Sequence, residues 1–235
     1  MFQVICFFCL CLSFFVPLQL PAMAKQIVHP TILSEAIGVR TIRYEDSLRN
    51  RPVMVELWYP SETNEADLDI PIDHVWKHPK EIRNAPFFSQ NAHYPLILMS
   101  HGHRGDRRER SWLADRLVRQ GFIVASVEHY GNGWNQYSPL ASLQFWDRAK
   151  DISFALTCLL EDPLYKDFLD PNRIGFVGYS LGGMTGLALA GAQVKNTKEL
   201  IQQRHDPFDE LAPEIVAQVD FSEGDKDYKE PRIRS

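Results

Sequence analysis

Arg173-Ile174-Gly175-Phe176-Val177-Gly178-Tyr179-Ser180-Leu181-Gly182-Gly183-Met184-Thr185-Gly186-Leu187-Ala188-Leu189-Ala190-Gly191 runs from a short apolar stretch, through a serine flanked by glycines, into a segment dominated by Ala, Leu, Gly and Met. Arg173 to Val177 reads as a short buried strand, and Gly183 to Gly191 suits a helix packed tightly on a sheet. Between them, Gly178-Tyr179-Ser180-Leu181-Gly182 has the Gly-x-Ser-x-Gly spacing of a nucleophile elbow. The residue types matter for a physical reason. A serine hydroxyl is a weak nucleophile at neutral pH and reacts when a sharp turn lifts its oxygen to where a histidine can reach it; small flanking residues let that turn close. The bare pattern also fits a glycine-rich turn capping a helix. The strand before it and the helix after it favour Ser180 as a nucleophile.

Upstream, strand and helix signals alternate. Val39 to Glu45 and Val53 to Tyr59 carry β-branched and aromatic alternation, with Arg51-Pro52 just before the second, and predict an antiparallel pair leading into a sheet. Ser61 to His93 is polar, contains Pro71, Pro79 and Pro86, and reads as a long excursion with little regular structure. Tyr94 to Ser100 is a continuous apolar run and a buried-strand candidate. Asp106 to Gln120 reads as a helix, with Asp106 and Glu109 in capping-box-like positions and Gly121 as the stop. Phe122 to Val127 is the next strand. Phe145, Ala149, Ile152, Leu156 and Leu159 recur at helical spacing, so Ser142 to Glu161 reads as one amphipathic helix ended by Asp162-Pro163. The alternation predicts an α/β fold with a mostly parallel sheet covered by helices on both faces.

Composition bounds the rest. The chain has 235 residues, 45% hydrophobic and 23% charged, enough for one core, and its net charge of -5 argues against nucleic acid as a partner. No repeat, heptad or low-complexity tract is present, which removes solenoid and coiled-coil readings. Met1 to Leu20 is uncharged and rich in Phe, Leu, Val and Cys, and Ala22-Met23-Ala24 fits a small-x-small cleavage site. Residues 1–24 therefore read as a secretory signal peptide and 25–235 as the folded domain, with secretion or export to a periplasm expected. The start lacks the usual Lys or Arg, so an uncleaved membrane anchor is the alternative; Pro17 and the short apolar core favour cleavage. Cys6, Cys9 and Cys11 would leave with the signal. Cys158 would remain alone, without an internal disulfide, as a buried core thiol.

Tyr94-Pro95-Leu96-Ile97-Leu98-Met99-Ser100-His101-Gly102-His103, then a helix, then Gly121-Phe122-Ile123-Val124-Ala125-Ser126-Val127-Glu128-His129, resembles the α/β-hydrolase branch that contains platelet-activating-factor acetylhydrolases and bacterial dienelactone-hydrolase-like proteins. The likeness runs from about Gly38 to Gly191. It implies an α/β-hydrolase fold with a Ser, Asp, His triad and cleavage of carboxylic esters, short-acyl and phospholipid-type in the best-known members. No metal or organic cofactor is implied, and a transient membrane-surface contact would accompany a lipid ester. Ser180 matches the nucleophile, the backbone N–H of Leu181 one oxyanion donor, and the N–H of His103 the other.

The chain departs from that pattern after Ser180. The family's acid and base follow the serine on later loops, whereas His205 is the single histidine beyond it, in the polar segment Gln202-Gln203-Arg204-His205-Asp206-Pro207. His205 reads as an exposed loop histidine rather than a base. Asp206, Asp209, Asp220, Asp225 and Asp227 follow no strand end. The acid and base of a triad are therefore not identifiable, and Glu230 to Ser235 reads as the start of a further core strand. The expectation is a hydrolase domain incomplete at its C-terminus, with its last strands missing; a catalytically inactive truncated remnant is the alternative to an active esterase.

Other features have two readings each. His101, His103 and Asp106 faintly suggest a metal cluster, but the spacing is off and no further ligands follow. His129 sits just past a strand end, either at a pocket mouth or in a structural hydrogen bond, the latter favoured. Arg104, Arg107, Arg108 and Arg110 suit either an anionic head group or a solvated helix start. Trp134, Tyr137, Phe145 and Trp146 suit either an apolar acyl site or ordinary packing.

Overall fold

The computed structural model describes residues 36–62, 68–69, 81–88, 93–203 and 212–233. The expected signal peptide and the segment around His205 lie outside them. In chain order the elements are β1 (Ala36–Asp46), β2 (Arg51–Ser61), β3 (Leu68–Asp69), β4 (Glu81–Arg83), β5 (Tyr94–Ser100), α1 (Ser111–Val118), β6 (Ile123–Glu128), β7 (Asn132–Gly133), β8 (Gln136–Tyr137), α2 (Pro139–Leu143), α3 (Asp147–Glu161), β9 (Leu169–Gly178), α4 (Leu181–Leu189), α5 (Thr197–Gln203) and α6 (Pro213–Val216). Seven strands form one sheet in the order β3-β4-β1-β2-β6-β5-β9. β1 and β2 pair antiparallel along their whole length, while β6, β5 and β9 run parallel. This is the α/β-hydrolase architecture, and the parallel part carries the site.

Period-2 alternation distributes the core. Leu96 and Leu98 of β5, Ile123, Ala125 and Val127 of β6, and Val53, Val55, Leu57 and Tyr59 of β2 share one face. They pack there against Ala149, Ile152, Ala155, Leu156 and Leu159 of α3. Met99, Val124, Trp58, Ile37 and Val39 point to the opposite face and meet Ala114 and Val118 of α1. Helices thus cover both faces.

Several boundaries differ from expectation for identifiable reasons. The excursion after β2 contributes a strand, β4, whose Ile82 and Arg83 pair parallel with Gly38 and Val39. α1 begins at Ser111 rather than Asp106, because residues 106–110 are held as turns by their own ion pairs. Asp106 Oδ1 accepts from the Arg108 N–H, and Arg107 and Arg108 reach back to the buried carboxylates Glu56, Glu128 and Glu81. These two arginines are therefore not a solvated helix start. Ser142 to Glu161 is not one helix: α2 ends at Leu143, its C-cap Gln144 is non-helical at ψ 52°, and α3 begins at Asp147. β9 is longer than expected but less buried. Among the described residues it pairs with β5 alone, so Ile174 is buried while Val177 is 37% exposed. Cys158 is half-buried in α3. Glu230 to Ile233 forms a turn rather than a strand: the Glu230 N–H bonds the Leu189 carbonyl and Arg232 pairs with Glu230.

Candidate active site

The serine turn is built by the register of two parallel strands. Ser100 at the end of β5 lies opposite Gly178 at the end of β9, and the Tyr179 N–H donates to the Ser100 carbonyl across 3.3 Å. Ser180 follows at φ 52°, ψ -117°, a conformation L-residues rarely adopt, and is the N-cap of α4. Glycine flanks are sterically required. A Cβ on Gly178 would collide with the Gly182 carbonyl, and one on Gly182 would collide with the Ser100 carbonyl and stand 2.8 Å from the His101 oxygen. The turn therefore sits directly on the strand end, and its side chain is exposed.

The loop after β5 is the second wall. A Cβ on Gly102 would lie 3.2 Å from the Tyr179 ring and 3.6 Å from Ser180 Cβ. Gly102, His103, Tyr179, Ser180 and Leu181 line one cleft of about 680 Å³, whose other wall is largely apolar and includes Leu143, Phe145, Met184, Val194 and Leu200. The structure thus brings Ser180, Leu181 and His103 together. Leu181 N–H occupies the first position of α4, where no intrahelical acceptor exists, and the helix N-terminus favours negative charge at that point.

The remaining candidates separate. Phe145 lines the cleft, whereas Trp146 is buried against Phe221, Trp134 is exposed, and Tyr137 packs on His103 and under the Arg104 guanidinium. Arg110 lies 4.0 Å over the Tyr179 ring at the cleft rim. Asp220 and Asp227 cap local turns, on Ser222 and Lys229, and Asp225 accepts from the N–H and hydroxyl of Thr197 at the start of α5. Among the described residues the Ser180 hydroxyl has no side-chain partner, and no cluster of three His, Cys, Asp or Glu that could hold a metal ion occurs. His101 is engaged otherwise: its Nδ1 donates to the Gly102 carbonyl at 2.7 Å and its Nε2 accepts the His129 N–H at 3.2 Å.

His129 is structural, and the network it joins escaped the sequence reading. Its Nε2 accepts from Ser100 Oγ at 2.8 Å, and its Nδ1 donates to Asp151 at 3.0 Å. Asp151 also accepts from Arg49 and Arg51, and Arg148 donates to Ser100 Oγ at 3.1 Å. Burial, reinforced by Arg148, Arg51 and Arg49, holds the His129 pKa well below its usual value; burial and the neighbouring His129 do the same for His101. Both imidazoles are therefore neutral, which fixes the tautomers given above. The available signal was Arg148 and Asp151, charged residues three apart beside the apolar stripe of α3.

Residues 76–149 match the family of platelet-activating factor acetylhydrolase, isoform II. The bovine platelet-activating factor acetylhydrolase is 30% identical over 145 residues, covering 40% of this chain and 33% of that protein. Over these segments the chain is similar to platelet-activating-factor-acetylhydrolase-like α/β-hydrolases. Cutinase est2 of Thermobifida alba is 27% identical over 103 residues, 43% of this chain and 31% of that protein. The ferulic acid esterase of Streptomyces cinnamoneus superimposes with TM-score 0.53 at 23% identity, over 68% of this chain and 56% of that one, a likeness of fold. The chain spans about a third of the length of the curated relatives it matches.

Proposed function

We propose that this chain carries the nucleophile and oxyanion site of a serine esterase acting on short-acyl esters of the phospholipid type. The observation that carries the reading is Ser180, held at φ 52° at the mouth of a cleft beside the first N–H of α4. Ser180 Oγ attacks the ester carbonyl carbon and loses its proton to a general base; the carbonyl oxygen takes up negative charge against the Leu181 and His103 N–H groups. Collapse expels the alcohol with that proton, and water then releases the acyl group from the serine. A cleft of about 680 Å³ with an apolar wall suits a short acyl chain and its alcohol. Lipid esters as substrates are supported by the bovine relative's name, and bring with them a transient contact with a membrane surface. Export guided by residues 1–24 is part of the same proposal, and N-terminal sequencing of the mature protein tests it.

A second reading is a hydrolase scaffold without turnover, favoured by the absence of a base on the Ser180 hydroxyl among the described residues. One experiment separates the two. The full chain is treated with a fluorophosphonate and assayed on a short-chain p-nitrophenyl ester beside Ser180→Ala. An adduct on the Ser180 peptide, with turnover lost in S180A, supports the esterase; a folded chain with neither adduct nor S180A-sensitive turnover supports the scaffold. The adduct is the stronger readout, because an oxyanion site alone retains roughly a thousandfold catalysis over water.

A further inference from the structure

We propose that Arg148 is a positioning residue that sets the distance between the two oxyanion donors, by tying the loop after β5 to the first turn of α4. This rests on the esterase reading of Ser180. Arg148 is the second residue of α3 and is 2% exposed. A cation in the first turn of a helix opposes the helix dipole, and a buried guanidinium is costly; burial and the nearby Arg51 bring its pKa down to about 9. Both local rules are broken at one residue, which calls for a compensating role.

Its donors supply that role by reaching three separate elements. One Nη2 bonds the His101 carbonyl and Ser100 Oγ, at the root of the loop that presents His103. Nε donates to Thr185 Oγ1 at 3.2 Å, and Thr185 Oγ1 in turn donates to the Leu181 carbonyl at 3.1 Å, closing the first turn of α4. Nη1 donates to Asn132 Oδ1 at 2.6 Å; Asn132 Nδ2 then donates to Ser142 Oγ at 2.9 Å and lies 3.4 Å from His103 Nδ1. One rigid planar fork therefore touches the loop root, the turn bearing Leu181 and the residue beside His103. Lysine, a point charge with rotatable donors, cannot reproduce that fork. Asp151, with Arg49, Arg51 and His129 around it, anchors the other side of Ser100. The donors' main-chain atoms need placement within about half an ångström to act on a developing oxyanion.

The test uses the full chain as wild type, Arg148→Lys, Arg148→Ala and Thr185→Val. In R148K the rate of fluorophosphonate labelling at Ser180, and kcat on the short-chain ester, should fall about a hundredfold with KM nearly unchanged. Amide exchange at residues 101–103 and 181–185 should rise together while β1 and β2 stay protected. Sub-denaturing guanidinium should restore labelling in R148A, where it can refill the cavity, and not in R148K, where the lysine occupies it; the split between kcat and KM and the localised exchange separate positioning from a merely structural role. T185V cuts one arm alone and should loosen 181–185 without 101–103, which keeps the idea testable if R148A fails to fold. Labelling of R148K at the wild-type rate overturns the proposal, as does exchange that is unchanged or raised uniformly over the sheet. If the wild type takes no label, the esterase reading fails separately; coupled loosening of the two segments then still supports the positioning role, and uncoupled exchange overturns it.

Discussion

Neighbouring glycines of α4 should respond to alanine with opposite signs. At Gly182 the new methyl would stand 2.8 Å from the Ser100 carbonyl carbon and the His101 oxygen, and closer still to the Ser100 oxygen. Ordinary contact begins at 3.4 Å, and the opposing atoms are backbone at the end of a buried parallel strand. The first turn of α4 must therefore retreat from β5 by more than about half an ångström, an overpacking that costs about 1–3 kcal/mol. The same retreat moves Ser180 and Leu181 away from the loop bearing His103. Displacements of that order lower a rate by roughly a hundredfold. At Gly183 the methyl would meet only the Gly178 carbonyl at 3.7 Å, and the backbone is ordinarily helical, so Gly183→Ala should stabilise the chain by about 0.5–1 kcal/mol. Urea unfolding of G182A, G183A and wild type reads the stabilities, and fluorophosphonate labelling reads the site. If G182A melts and labels like wild type, or G183A is the worse variant, the elbow does not sit on the β5 terminus as described.

Two further outcomes follow from strain and from burial. Ser180→Gly should be about 1 kcal/mol more stable than Ser180→Ala in urea, since glycine relieves one to three kcal/mol of strain at φ 52° against about 0.5–1 of chain entropy; equal stabilities would show that the turn is unstrained. Burial raises the Glu81 pKa from 4.5 to about 7 despite its hydrogen bond from Trp58 and the nearby Arg108. Because the folded chain then holds its proton more tightly than the unfolded one, this group's contribution is complete below about pH 4.5 and is lost as pH rises toward 7, by at most about 3 kcal/mol. His101 and His129, with lowered values, act oppositely: their contribution is present above the usual histidine range and is lost as pH falls through it. The difference between wild type and Glu81→Gln isolates the carboxyl, and wild type should lose ground to E81Q between pH 5 and 7; a pH-independent difference refutes the assignment.

What the sequence disclosed follows from the range of the interactions involved. Apolar runs such as Tyr94 to Ser100 declare themselves because a strand buried on both faces has no tolerance for polar residues, and the elbow does so because two glycines are sterically required within five residues. A helix starting at Asp106 does not form because Arg107 and Arg108, good helix formers by propensity, find stronger partners in Glu56, Glu128 and Glu81, which are 21 to 51 positions away and brought close by sheet pairing. The break between α2 and α3 has no local breaker at Gln144; it arises where Leu143 and Trp146 turn into a separate apolar cluster with Ile201, Val219 and Phe221. Asp151 and Arg148 were invisible as a site because their partners lie on strand ends that only the parallel register brings together.

Ser100 shows why connectivity alone does not identify a nucleophile. It has what Ser180 lacks among the described residues, an imidazole 2.8 Å from its hydroxyl and a carboxylate behind that imidazole at 3.0 Å. Yet its side of the network is closed. Ser100 is 4% exposed and His129 fully buried, and Arg148 donates to the very oxygen that would attack. Three arginines near the imidazole oppose the imidazolium that proton abstraction would create, so His129 is a poor base even where geometry permits the transfer. Asp151 bears Arg49 and Arg51 as well as the histidine, and its charge is already matched. Ser180 has the converse properties: an exposed hydroxyl, strained backbone, a helix N-terminus and a cleft. Reaction requires approach of a substrate carbonyl and room for its oxygen, and only the second serine offers them. The buried constellation acts on the reaction through position instead, because it shares Ser100 with the guanidinium that holds both walls of the cleft.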